Sequence, residues 1–271
     1  MAFDEGRWPA SAGASAAVLV DDLGEPALGP DGQHHLARVL RLAPGSPVVA
    51  LDGRGGWRRC RLAGEGSRAG LEPDGPMVWA PRLHPELTVG LPPVKGERTE
   101  WAVQKLTELG VDRIVLLRTQ RGVVRVEGQR AERYVARLRR VAEAALCQSR
   151  GAWLPAVLGP MSLAELDELL GAEGQGPAAV CVPGAAGVPS LAEPAVLVGP
   201  EGGFVVEELL GPRGQPRAAL DLGPTILRVE TAAVAVASRL CGLRFEAEKE
   251  RGVTGAVPPP GLRLRDACAG H

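Results

Sequence analysis

Val196-Leu197-Val198-Gly199-Pro200-Glu201-Gly202-Gly203-Phe204 is the stretch on which the reading of this chain turns. Its first three residues are apolar and mostly β-branched, the composition of a buried strand. That strand runs straight into a loop, where Gly202 and Gly203 permit positive φ or a close backbone approach. Glu201 is locked between Pro200 and Gly202, which makes a plain tight turn the weaker reading. Glu207 and Glu208 follow in a predicted short helix. Open α/β sheets bind ligands outside the carboxyl ends of their strands. The loop therefore predicts a ligand site.

A second loop of the same kind follows: Leu220-Asp221-Leu222-Gly223-Pro224-Thr225-Ile226-Leu227-Arg228-Val229-Glu230-Thr231-Ala232. A strand ends at Gly223, and the apolar pair Ile226-Leu227 leads into a last helix. Glu230 and Thr231 suit a first-turn acid or an N-terminal cap. Arg228 does not, because a cation at a helix N-terminus is mildly unfavourable. A functional role explains it, and so does an ion pair with Glu201 or Glu230. Neither loop fits a Rossmann dinucleotide site, whose glycine turn follows the first strand of the sheet. The chain contains no G-x-x-x-x-G-K-S/T either.

Strands and helices alternate outward from these loops. Strands are predicted at 87–91, 113–117, 178–182, 195–198 and 218–222. Helices are predicted at 99–109, 129–148, 162–170 and 229–243. Alternation of this kind gives an α/β unit with a largely parallel sheet, here 85–248. Residues 1–80 read as a small β-rich module. It holds a strand at 47–51, a hairpin partner at 57–62, another short strand at 77–80, and one helix at 33–41 with Leu36, Val39 and Leu40 on one face. Composition changes at 81–85, and the Pro-containing tail 249–271 reads as flexible.

Composition excludes some classes. At 271 residues, 45% hydrophobic and net charge -1, the chain has a globular profile and no excess charge that would demand a polyanion. Five cysteines without a C-x-x-C suggest neither a disulfide framework nor zinc, so reduced thiols in a cytoplasmic protein are expected and no metal. No basic segment leads an apolar run at the start, and no stretch is apolar enough to span a bilayer. Charge is instead local. Residues 113–150 carry ten Arg against three Glu, and 38–68 carry seven Arg against two acids. Arg130, Arg133, Arg137 and Arg140 line one helix face at three- and four-residue spacing, where like charges repel. That pattern points to phosphates, or to a solvated face with Glu partners. Arg38, Arg41, Arg121, Arg133 and Arg137 are the candidate RNA contacts. His34 and His35 belong to the β module and read as RNA-facing or structural.

His34-His35-Leu36-Ala37-Arg38-Val39-Leu40-Arg41-Leu42, Gln104-Lys105-Leu106-Thr107-Glu108-Leu109-Gly110-Val111, Glu143-Ala144-Ala145 with Gln148-Ser149-Arg150, and the two glycine loops occur in family order. Together they resemble the RsmE family of ribosomal RNA uridine-N3 methyltransferases, within the SPOUT (α/β-knot) superfamily. The resemblance implies a PUA-like β-barrel followed by a knotted methyltransferase domain, and S-adenosylmethionine (SAM) bound in the knot. It also implies a homodimer with the active site near its interface, and methylation of one small-subunit rRNA uridine at N3. The cofactor residues would be Val182, Pro183, Val198, Gly199, Pro200, Glu201, Gly202, Gly203, Leu222, Gly223, Ile226, Leu227 and Arg228. Two other readings stand beside it: a SPOUT enzyme acting on tRNA or another rRNA position, and an RNA-binding protein without catalysis.

Uridine N3–H is mostly protonated at neutral pH, so methyl transfer needs a base or a group that stabilises the developing anion. Arg228 suits the second task and Glu201 the first, unless Glu201 only orients its loop.

Overall fold

The computed structural model describes residues 8–64 and 69–251. They divide into two units, the first comprising residues up to Arg82 together with Leu146–Leu154, the second Leu83–Ala145 with 155 onward.

The first unit is a four-stranded sheet of β1 (Ala16–Leu19), β2 (Pro47–Leu51), β3 (Gly56–Ala63) and β4 (Gly70–Trp79), in that order. β1 and β2 run parallel, and the rest is an antiparallel meander. The predicted turn 52–56 is present. Asp52 closes it by accepting from the backbone N–H groups of Arg54 and Gly56. Burial pushes the Asp52 carboxyl up despite those two N–H groups. Val48, Ala50, Cys60 and Leu62 point to one core, Val49, Leu51 and Trp57 to the other, as period-two strands require. The second core includes Leu146 and Leu154. A Cβ on Gly55 would collide with the Trp153 ring at 2.3 Å, so that glycine makes room for the segment.

The helix predicted at 33–41 is different in form. It is α1 (Pro30–His34) continued by a single π-turn at His35–Val39, closed by Leu40 N–H donating to the His35 carbonyl. The wider turn breaks the 3.6-residue period. Only Leu36 is buried, while Val39 and Leu40 are 58% and 42% exposed.

The second unit is a six-stranded sheet of β5 (Thr88–Leu91), β6 (Arg113–Leu117), β7 (Ala156–Met161), β8 (Ala179–Cys181), β9 (Ala195–Leu197) and β10 (Ala219–Leu220), in the order β10-β8-β9-β5-β6-β7. Every neighbouring pair is parallel. β7 lies outside the predicted set of strands. The helices are α2 (Arg98–Leu109), α3 (Gly128–Ser149), α4 (Leu163–Ala172) and α5 (Val229–Arg251). Gly110 ends α2 at φ +85°, a left-handed cap. Ser162 caps α4 in a reciprocal box with Glu165. The Ser162 backbone N–H and hydroxyl hold the Glu165 carboxyl below its usual value. The segment 206–209, read as a short helix, is one 3₁₀ turn. α5 continues eight residues past the predicted end, so Lys249 to Arg251, assigned to a flexible tail, are helical. Residues 252–271 lie outside the described residues.

This is the architecture the resemblance implied: a small strand-rich unit, then a parallel α/β unit whose strand ends present loops along one edge. No helix among the described residues is long and apolar enough to cross a membrane.

Candidate cofactor cleft

A cleft of about 530 Å3 opens at the carboxyl ends of β8, β9 and β10. Its walls come from Cys181 to Pro183 at the end of β8, Val198 to Glu201 with Gly203 and Phe204 after β9, and Asp221 to Gly223 with Thr225 to Val229 after β10, with Ala232 from the first turn of α5. Every residue assigned to the cofactor from sequence lines this cleft except Gly202. The carbonyl of Gly202 instead accepts from Arg121 Nη1 at 2.8 Å, and a Cβ there would meet the Arg121 side chain at an ordinary 3.4 Å. The glycines the cleft needs are others. Gly203 and Gly223 sit at φ +69° and +126°, where side chains are rare. A Cβ on Gly199 would crowd the Phe204 ring at 3.1 Å.

The wall is mostly apolar, with Val182, Val198, Phe204, Leu209 and Leu227 facing a few polar groups. Cleft size and lining are those of a preformed small-molecule site. They fit SAM, which calls for apolar surface, backbone hydrogen-bonding groups and a carboxylate: the wall holds Val182, Val198, Phe204, Leu209 and Leu227, the loop backbone, and Asp221. Cys181 lines the same wall, and burial pushes its thiol up to about 12, so it stays neutral. Among the described residues no group of His, Cys, Asp and Glu is placed to hold a metal.

The sequence offered two explanations for Arg228, a role at the site or an ion pair with Glu201 or Glu230. Arg228 is exposed and makes no ion pair among the described residues. The two acids are taken by Arg98, a residue the sequence reading passed over. Its Nη1 lies 3.4 Å from Glu230 Oε2 and 3.7 Å from Glu201 Oε1.

Two family models match the chain. An RNA methyltransferase domain covers 82–241, and an RNA methyltransferase PUA domain covers 28–69. Ribosomal RNA small subunit methyltransferase E of Mycobacterium bovis is 34% identical over 212 residues, 75% of this chain and 80% of the relative. The chain belongs to the ribosomal RNA small subunit methyltransferase E family. The family's Bacillus subtilis member is 26% identical over 236 residues, 81% of this chain and 89% of its own. The Neisseria gonorrhoeae member, solved bound to S-adenosyl methionine, superimposes with a TM-score of 0.68 at 25% identity, covering 83% of this chain and 95% of that one. A Legionella pneumophila methyltransferase, solved with SAM, shares the fold at a TM-score of 0.69 and 24% identity, over 83% and 96% of the two chains.

The arginines assigned to RNA fall into two groups. Arg38 and Arg41 are exposed in the first unit beside His34 and His35, without ion pairs among the described residues. Arg121, Arg133 and Arg137 belong to the second. Arg133 donates to Gln129 Oε1 within α3, and Arg137 lies 3.3 Å from Glu100 Oε1. The α3 stripe is thus partly engaged by its own neighbours. Arg130 and Arg140 are exposed and unpaired among the described residues.

Proposed function

We propose that this chain transfers a methyl group from SAM to N3 of a uridine in small-subunit ribosomal RNA. The observation that carries the reading is a guanidinium, Arg228, unpaired among the described residues and lining a cleft to which both glycine loops contribute. When bound, SAM supplies the electrophilic methyl carbon. The protein's own residues do the rest. Backbone at Gly199, Gly203 and Gly223 lets the cofactor close on the strand ends. Val198, Phe204 and Leu227 exclude water from one side. Arg228 stabilises the negative charge that spreads over the uracil oxygens as N3 gives its proton to solvent water. Glu201 orients its loop through Arg98. Holding N3 in line with the methyl carbon is a large part of the rate in such a site.

In this reading residues 1–80 grip RNA and 85–248 carry the chemistry. Arg38, Arg41, Arg121 and Arg133 contact phosphates, and Arg137 adds to them when it leaves Glu100. A homodimer in the cytoplasm completes the proposal. Ile226 on the cleft wall supports the dimer at 82% exposure, and Val206 and Val188 are further apolar residues left 70% and 59% exposed.

The test is incubation of the full chain with labelled SAM and small ribosomal subunits lacking the modification, followed by nucleoside analysis. Label in N3-methyluridine is expected. Label in tRNA or in another nucleoside, or SAM binding without any transfer, would refute the proposal.

A further inference from the structure

Arg98 opens α2, directly after the loop that leaves β5. Its Nε donates to the carbonyl of Lys95 at 3.2 Å, which fixes the guanidinium against its own loop. One nitrogen, Nη1, then faces two carboxylates: Glu201 from the loop after β9, and Glu230 from the first turn of α5. The Glu230 side chain is only 9% exposed, and that of Glu201 is 50% exposed. Three chain segments that meet nowhere in sequence therefore converge on one side chain.

The convergence has a consequence for the cleft. Among the described residues Arg228 is the only cation that lines it, and Glu201 lines it too. Opposite charges that line one cleft attract each other. An unrestrained Glu201, half exposed and on a loop, would compete with the substrate for Arg228. The cation already occupying Glu201 prevents this.

We propose that Arg98 is a positioning residue: it ties the two cofactor loops together and, by occupying Glu201 and Glu230, leaves the guanidinium of Arg228 free for the substrate. This rests on the methyltransferase reading for its second half only, since the tie between loops concerns SAM binding alone.

The test is a double-mutant cycle on the full chain with Arg98→Ala, Glu201→Gln and the pair, read by SAM calorimetry and by methyl transfer at saturating SAM. Arg98→Ala should weaken SAM binding about tenfold and lower saturated turnover by a further factor of about ten, as loosened positioning does. Glu201→Gln removes a tie of its own and is expected to lose activity too. With that carboxylate already neutral, however, the turnover loss caused by Arg98→Ala should shrink to about threefold or less. Arg98→Lys keeps a charge but not the fork, and should fall between wild type and alanine. Should the alanine variant fold poorly, the lysine variant carries the test. Wild-type affinity and turnover in Arg98→Ala, or an equal turnover loss in both backgrounds, would overturn the proposal. If the wild-type chain transfers no methyl group to small subunits, the functional reading fails, while the SAM affinities still decide whether Arg98 ties the loops.

Discussion

The two edges of the parallel sheet use arginine in opposite ways. At the amino edge, Arg244 reaches from α5 to the start of β5 and β6. It pairs with Asp112 and donates to the carbonyls of Gly110 and Pro85, while Asp112 also accepts from Leu87 N–H. Arg217, just before β10, pairs with both oxygens of Asp167 at 2.9 and 2.5 Å and donates to the carbonyls of Ala178 and Glu208. Both guanidiniums are almost fully buried, at 1% and 4% exposure. At the carboxyl edge, Arg98 is half-open and shared between two acids, and Arg228 is unpaired among the described residues. A buried charge must be satisfied where it stands, so the amino edge is fixed by its own partners. An exposed one stays available to a ligand. The contrast matches the general placement of function at the carboxyl ends of parallel strands.

The largest expected effect lies at the closed edge. Arg217→Ala leaves Asp167 as a buried, unpaired carboxylate and should cost about 3–5 kcal/mol of stability, measured by urea unfolding. Arg228→Ala should change stability by no more than about 0.5 kcal/mol. Equal losses at both positions would erase the distinction between the edges. Next is Gly199→Val. The added side chain must displace the Phe204 ring, an overpacking cost of about 1–3 kcal/mol, which should appear in calorimetry as weaker SAM binding. Gly202→Val should do much less, since its Cβ meets only the flexible Arg121 side chain. The reverse ranking would move the cofactor off the cleft. The smallest effect concerns RNA. Arg133→Ala/Arg137→Ala should flatten the slope of log affinity against log salt by at most about 0.7 to 0.9 per phosphate contact. Because Arg137 already pairs with Glu100, a change nearer one contact than two is expected. An unchanged slope would make the α3 stripe a solvated face.

Much of this was legible in the sequence where the signal is local. β2 and β6 coincide with their apolar runs, and Gly110 and Ser162 mark helix ends as their chemistry requires. The two glycine loops announced the cleft because close backbone approach leaves a trace in residue type. Four features were not legible. β7 contains Gly159 and Pro160, which interrupt any strand pattern, and β1 is four residues with two alanines. The π-turn at His35–Val39 shifts a helical period by one residue, and periodicity cannot show that. Glu230 lies 132 residues from Arg98, and spacing says nothing about such a contact. A trace of it was present nonetheless. Arg98, like Arg228, is a cation at the N-terminus of a helix, where the dipole disfavours it. Both residues carry the same signal.

In the proposed reaction Arg228 acts on the substrate rather than in the fold or in cofactor affinity. The direct measurement is single-turnover methyl transfer by Arg228→Ala at saturating SAM, with the SAM dissociation constant of the same preparation taken alongside. Loss of one preorganised charge-stabilising donor costs about a hundredfold or more in rate. A fall of that order is expected, with SAM affinity held within about threefold of wild type because the guanidinium serves the substrate and not the cofactor. Wild-type turnover in the variant, or a loss recovered entirely by raising SAM, would contradict it.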